Sequence, residues 1–167
     1  RIMSEATTAL AEGEILELLK TCDADTTEEE YLEIINNKTA SLFSAACEVG
    51  AILGKVDQKK RLALKDFGYN LGMAFQLTND VLDYISYDAV LGKRVGTDLK
   101  EGKVTLPLIY ALKSSTEKEK TYINNVLGKA RVTAKDFERI SKIIRKYGGV
   151  EYTVNATKQF IDEAKGN

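Results

Sequence analysis

Apolar residues recur every three to four positions along most of this chain, which is the spacing of amphipathic α-helices. Strict alternation, typical of half-buried strands, is rare, and the 167 residues include only one proline. We therefore predict an all-α protein. The expected helices cover about residues 1–20, 26–54, 57–86, 107–114, 116–127, 133–146 and 150–165.

Local signals support several of these boundaries. Thr26 and Thr27 are each followed three residues later by a glutamate, so both are candidates for a capping box that starts the second helix. We expect that helix to bend near Asn36-Asn37. Pro107 suits the first turn of a helix that follows a glycine-rich, charged loop over 86–105. With no repeat and no linker, the chain is expected to be one piece of a single domain.

Composition excludes several function classes. A net charge of −1 argues against a nucleic-acid binder, and no apolar run is long enough for a transmembrane helix. Two cysteines, Cys22 and Cys47, do not form a disulfide framework, so we expect a reducing, cytoplasmic setting. The chain contains no histidine, which removes the commonest metal ligand and neutral-pH base. Any chemistry must depend on carboxylates, lysines and hydroxyl groups.

One predicted helix carries a narrow acidic stripe. Over residues 72–85, polar side chains occupy an arc of about 100° and apolar ones an arc about twice as wide, so the helix should be buried on most sides. Carboxylates that face a cavity need a cation, and oxygen ligands at positions i, i+1 and i+4 suit Mg²⁺. The spacing alone fits an exposed polar face equally well. The stripe consists of Gln76, Asn79, Asp80 and Asp83.

Three segments together resemble a known family. Phe75-Gln76-x-x-Asn79-Asp80-x-x-Asp83 resembles the second aspartate-rich motif, FQ-x-x-DD-x-x-D, of trans-isoprenyl diphosphate synthases of the octaprenyl and geranylgeranyl type. Residues 91–107 resemble the family's LGK-x-x-G-x-D-L-x-EGK-x-TLP segment, and residues 38–40 match its KTA motif. The motifs occur in the family's order and extend over nearly the whole chain.

The resemblance implies a helical bundle of the isoprenoid synthase type. Residues 1–167 would form the C-terminal half of a single domain, whose N-terminal half is absent; Arg1-Ile2-Met3 resembles the middle of a helix. The implied reaction is the Mg²⁺-dependent condensation of isopentenyl diphosphate with an allylic diphosphate through a carbocation. The implied partners are those two substrates and the missing half or another subunit, with a homodimer of the full-length protein. Alone, this chain is expected to be inactive.

The resemblance also implies roles for individual residues. Asn79, Asp80 and Asp83 would hold Mg²⁺, and Asp98 would orient metal-bound water. Lys38, Lys93 and Gln76 would be catalytic as well as substrate-binding. The full set of implied substrate-binding residues is Lys38, Thr39, Phe75, Gln76, Lys93 and Lys103.

Each role has a structural alternative. The lysines could be solvated or lie in a surface turn, Gln76 could bond a neighbouring helix, and Thr39 or Asp98 could cap one. Asn79 stands where the family usually has an aspartate, which should weaken Mg²⁺ binding. The family's first aspartate-rich motif does not occur in this sequence.

Three other functions compete with this one. A class I terpene cyclase would need Ser or Thr at position 83 and Glu at position 87, where this chain has Asp83 and Tyr87. A non-catalytic regulatory subunit of a heteromeric prenyltransferase is compatible with Asn79. A helical interaction protein without chemistry is disfavoured by the acidic stripe.

Overall fold

The computed structural model describes residues 1–85 and 96–166, and all regular structure in that part of the chain is helical. This confirms the all-α prediction, and the main helices begin and end within a few residues of the expected positions. In chain order the elements are α1 (Ile2–Leu19), α2 (Glu28–Ile35), a π-helical turn (Asn36–Ala40), α3 (Ser41–Leu53), α4 (Gln58–Ile85), α5 (Thr97–Lys100), α6 (Leu106–Ser114), α7 (Glu117–Leu127), α8 (Ala134–Lys146) and α9 (Gly149–Gly166).

A capping box starts α2, as predicted, and Thr27 is the residue that forms it. The backbone N–H of Thr27 donates to Glu30 Oε2 at 2.8 Å, and the N–H of Glu30 donates to Thr27 Oγ1 at 3.2 Å. The same reciprocal pairing starts α7 and α8. These boxes satisfy backbone donors that would otherwise lack partners, so three helix starts are determined by short sequence motifs.

The bend predicted near Asn36-Asn37 is a π-helical turn. Residues Asn36–Ala40 adopt this wider helix between α2 and α3. Such turns insert one extra residue into an α-helix and occur frequently at functional sites. Here the turn contains Lys38 and Thr39, two of the predicted substrate-binding residues.

The first of two compact units consists of Arg1–Leu18, Leu32–Leu77 and Asn155–Asn167. It includes most of α1, α3, the first part of α4 and the end of α9. Small residues allow close helix packing in this unit: a Cβ added at Gly72 would lie 2.6 Å from Ala40 Cα. Its buried apolar side chains are Ala6, Ile34, Ile35, Ala40, Ala45, Ala51, Met73, Ala74, Leu77 and Ala164.

The second unit consists of Leu19–Tyr31 and Thr78–Val154. It contains the end of α4 and the helices α5 to α8, with Pro107 in the first turn of α6, as predicted. Its fully buried large side chains are Leu99, Leu106, Pro107, Leu108, Ile123, Val126, Ile140, Ile144 and Thr153.

The prediction that the 72–85 segment is buried on most sides is only partly correct. Met73, Leu77 and Val81 are buried, but Phe75 remains 49% exposed and Ile85 remains 41% exposed. Phe75 belongs to an exposed apolar stripe along α4, because residues spaced by three or four lie on one helix face. The members of this α4 stripe are Leu64, Phe67, Leu71 and Phe75.

Two predictions from composition concern the cysteines and membrane-spanning helices. Both cysteines carry free thiols, as expected for a chain without a disulfide framework. None of the described helices combines the length and the apolar character that a membrane span requires.

Candidate functional site

Lys38 lies in the π-helical turn, where α1 approaches the backbone closely. A Cβ added at Gly13 would lie 2.6 Å from Lys38 N and 3.0 Å from Asn37 Cβ, so only glycine permits this contact. Close packing brings acidic side chains of α1 to the lysine. Lys38 Nζ forms ion pairs with Glu17 Oε2 at 2.6 Å and Glu14 Oε1 at 3.2 Å.

The sequence analysis did not identify Glu14 and Glu17. A local sequence pattern could have identified them, because Gly13 is followed by two acidic residues that lie one helical turn apart on α1. The ion pairs hold the Lys38 ammonium in place beside the π-helical turn. They also mean that a diphosphate would compete with two carboxylates for this cation.

Thr39 and Gln76 are in contact in the first unit, through a hydrogen bond that also fits the structural alternative for Gln76, a bond to a neighbouring helix. Thr39 Oγ1 donates to Gln76 Oε1 at 3.1 Å, and both side chains are half-buried. The neighbouring Phe75 ring lies 5.5 Å from the Phe43 ring, between centroids. Gly72, one turn before Gln76, allows α4 to approach the π-helical turn closely enough for this contact. Thr39 and Gln76 therefore form a polar pair next to the exposed Phe75.

Asp80 is the most deeply buried residue of the acidic stripe. It is only 2% exposed, and its Oδ2 accepts a hydrogen bond from the Tyr31 hydroxyl on α2. Burial raises the pKa of Tyr31 well above its usual range, and the negative charge of Asp80 raises it further. The phenol therefore stays protonated and remains a hydrogen-bond donor. The predicted stripe is therefore not a uniform surface, because Asp80 lies inside the second unit.

Asp83 holds the beginning of α5. Its carboxylate accepts the backbone N–H groups of Thr97 and Asp98, each at 3.1 Å. Burial raises the pKa of Asp83, and these backbone hydrogen bonds oppose that shift. The acidic motif of α4 is thus joined directly to the segment that resembles the family's LGK…EGK sequence. We call this contact the Asp83 clasp.

Asp98 lies between two left-handed glycines, and Lys103 directly follows the second of them. Gly96 and Gly102 have φ values of +75° and +77°, a conformation that favours glycine. Asp98 is half-buried in α5, and Lys103 N donates to its carbonyl oxygen at 2.8 Å. Lys103 Nζ pairs with Glu101 at 2.9 Å. Lys93 lies outside the described residues.

The donor set of the second unit fits a hard divalent cation. The half-buried Asn79 and Asp83 and the buried Asp80 offer amide and carboxylate oxygens within one turn of α4. In residues 1–85 and 96–166, no three acidic or thiol side chains already form a metal cluster. Mg²⁺ usually takes one or two protein carboxylates and completes its shell with water and substrate phosphates, so a full protein cage is not required.

Comparisons with known proteins agree with this fold and these motifs. Residues 1–144 match the polyprenyl synthetase family. The chain is 39% identical to the octaprenyl diphosphate synthase of Escherichia coli (strain K12) over 165 residues, which are 98% of this chain and 50% of that relative. It is 34% identical to the heptaprenyl diphosphate synthase component 2 of Bacillus subtilis (strain 168), over 98% of this chain and 46% of the relative.

A solved structure agrees with the architecture. The polyprenyl synthase of Caulobacter crescentus CB15, crystallised with calcium and isoprenyl diphosphate, superimposes with a TM-score of 0.93 at 41% identity. The superposition covers 99% of this chain and 50% of that one. The all-α isoprenoid synthase fold is therefore confirmed, and this chain belongs to the polyprenyl synthetase family. It spans about half the length of the relatives that it matches.

Proposed function

We propose that the protein carrying this chain condenses isopentenyl diphosphate with an allylic diphosphate and thereby lengthens a trans-polyprenyl diphosphate. The observation that carries this proposal is the Asp83 clasp, which joins the acidic motif of α4 to the segment with Asp98 and Lys103. A contact between two motifs that are separate in sequence favours a shared function. This chain would supply the wall of the site that holds the second acidic motif.

Ionisation of an allylic diphosphate leaves negative charge on the departing diphosphate, and the proposed roles follow from that charge. Bound Mg²⁺ would neutralise part of it. Lys38, Lys93 and Lys103 would add positive charge, while Thr39 and Gln76 would orient the diphosphate through their polar side chains. The exposed Phe75 would lie beside the apolar part of the substrate. The residues proposed to hold the metal are Asn79, Asp80 and Asp83, with Asp98 orienting its water.

The proposed partners follow from length and from exposed surface. The relatives are about twice as long as this chain, and one of them is named as a component. The α4 stripe exposes four apolar side chains, by 37% to 49%, among the residues described. We propose that helices of the N-terminal half, on the same chain or on another subunit, cover this stripe. The complete protein is proposed to form a homodimer.

A regulatory subunit without catalytic activity remains the second candidate, because Asn79 replaces a charged ligand. Metal binding separates the two. Titration of Mg²⁺ in the presence of a bisphosphonate should show saturable, mutually dependent binding for the catalytic protein. A protein that binds neither Mg²⁺ nor the bisphosphonate would contradict the proposal.

Asn79→Asp sharpens this experiment. An ionised oxygen binds a hard cation better than an amide oxygen does, so the Mg²⁺ midpoint should fall. The matched control is Asn125→Asp, which adds the same charge at an exposed position of α7 and should leave the midpoint unchanged. An unchanged or higher midpoint for Asn79→Asp would show that Asn79 is not a ligand.

A further inference from the structure

Asp80 is an acidic side chain that is buried near other carboxylates. It is 2% exposed, Asp83 lies one turn further along α4, and the backbone N–H of Asp98 donates to the Asp83 carboxylate at 3.1 Å. Burial of a charged group costs free energy unless hydrogen bonds compensate, and neighbouring like charges increase that cost. A carboxylate in this position needs a partner that holds it.

Tyr31 supplies such a partner. It is 4% exposed, and its hydroxyl donates to Asp80 Oδ2 across a separation of 49 residues in sequence. The Thr27–Glu30 capping box fixes the beginning of α2 one turn earlier, and Tyr31 N donates to the Thr27 carbonyl at 3.0 Å. Tyr31 therefore lies in the first turns of a helix whose start is fixed, and its hydroxyl donates to one particular oxygen, Oδ2 of Asp80.

The need to fill the core does not explain why residue 31 carries a hydroxyl group. Phenylalanine would occupy nearly the same volume without a polar atom to satisfy. Tyr84 shows the contrast: it is also buried, and its hydroxyl has no hydrogen-bond partner of normal geometry among the described residues. Two buried phenols thus lie near the same acidic group, and the Tyr31 hydroxyl is the one bonded to Asp80 Oδ2.

We propose that Tyr31 is a positioning residue, whose hydroxyl fixes the rotation of the Asp80 carboxylate so that it meets a divalent cation in one orientation. The inference rests on the proposed function, because it assumes that Asp80 serves a metal-dependent site. Hydrogen-bonded partners of metal ligands typically contribute about 10- to 100-fold to metal affinity. Tyr31 should contribute within that range without touching substrate.

The test measures Mn²⁺ binding by electron paramagnetic resonance in the complete protein, with a bisphosphonate present. Tyr31→Phe should weaken Mn²⁺ binding by about tenfold or more. The matched control, Tyr84→Phe, removes the other buried hydroxyl and should change binding less than about twofold. In an Asp80→Asn background, Tyr31→Phe should have almost no further effect, because coupled residues are not additive. Excess Mg²⁺ should restore prenyl transfer by the Tyr31→Phe protein.

A second measurement does not depend on the folding of the Tyr31→Phe protein. Addition of Mn²⁺ should perturb the near-ultraviolet tyrosine spectrum of the wild-type protein and not that of Asp80→Asn. The positioning role is refuted if the Tyr31→Phe protein binds Mn²⁺ as tightly as wild type does. It is also refuted if Tyr31→Phe weakens Mn²⁺ binding by the same factor in the Asp80→Asn background as in wild type. If wild type binds no Mn²⁺ with the bisphosphonate, the proposed function and the role of Tyr31 are both overturned.

Discussion

Gly72 provides a direct test of the packing that joins α4 to the π-helical turn. A Cβ added there would lie 2.6 Å from Ala40 Cα and 3.1 Å from Phe43 Cβ, while ordinary contact begins at 3.4 Å. The nearest atom belongs to the backbone, which cannot rotate away as a side chain can. Alanine at position 72 must therefore push α4 away from the turn.

The expected cost can be estimated from two opposing effects. Overpacking of a tight contact typically destabilises by about 1–3 kcal/mol. Replacing glycine by alanine within a helix stabilises by about 1 kcal/mol. We expect Gly72→Ala to lower the free energy of unfolding by about 0–2 kcal/mol, the difference between these two effects.

Gly50→Ala is the matched control, because nothing lies within 4 Å of an added Cβ in α3. It should show the helix-propensity gain of about 1 kcal/mol alone. Urea unfolding of both variants measures the steric effect as the difference between them, which should be about 1–3 kcal/mol. Equal changes in unfolding free energy would refute the close packing at Gly72 described here.

Two further predictions concern ion pairs. A hydrogen bond from Lys146 lowers the pKa of Glu119 from 4.5 to about 2, and a second hydrogen bond from the Tyr147 hydroxyl contributes to this shift. The ionised Glu119 therefore stabilises the fold fully above pH 4.5, and this stabilisation is lost as the pH falls toward 2. Urea unfolding across this window should show a smaller acid-induced loss for Glu119→Gln than for wild type; identical pH profiles would contradict the pairing. Glu17→Gln should tighten bisphosphonate binding by about two- to fivefold, since the bisphosphonate no longer competes with the Glu17 carboxylate for Lys38, in an ion pair worth up to about 1 kcal/mol. Glu12→Gln, an exposed change on the same helix, should not alter binding, and weaker binding by Glu17→Gln would contradict this view of Lys38.

Sequence patterns predicted the helices because their determinants are local. The Thr27 capping box and Pro107 each act within one helical turn, so neighbouring residues reveal them. The bend at Asn36-Asn37 was found in place, although its π-helical form was not predicted. The short helix α5 was missed because a carboxylate on α4 holds its first turn, from 14 residues earlier in the chain.

The site was predicted in part for the same reason. Motif spacing pointed to Thr39, Gln76 and the acidic residues of α4, whereas the hydrogen bond between Thr39 and Gln76 was not predicted. Tyr31 and Glu17 were missed, since their partners are 49 and 21 residues away in sequence. Such contacts depend on how helices pack, which no local pattern encodes. The metal and substrate roles themselves stay predictions.

The most direct measurement is incorporation of labelled isopentenyl diphosphate into a longer prenyl diphosphate by the complete protein, with Mg²⁺ and an allylic diphosphate. Wild type should elongate the allylic substrate. Asp80→Ala should be slower by about a hundredfold or more, in line with loss of a group that stabilises developing charge. Asp25→Ala, which removes an exposed carboxylate before α2, should retain the wild-type rate. Elongation by Asp80→Ala within threefold of wild type, or no elongation by wild type, would contradict the account.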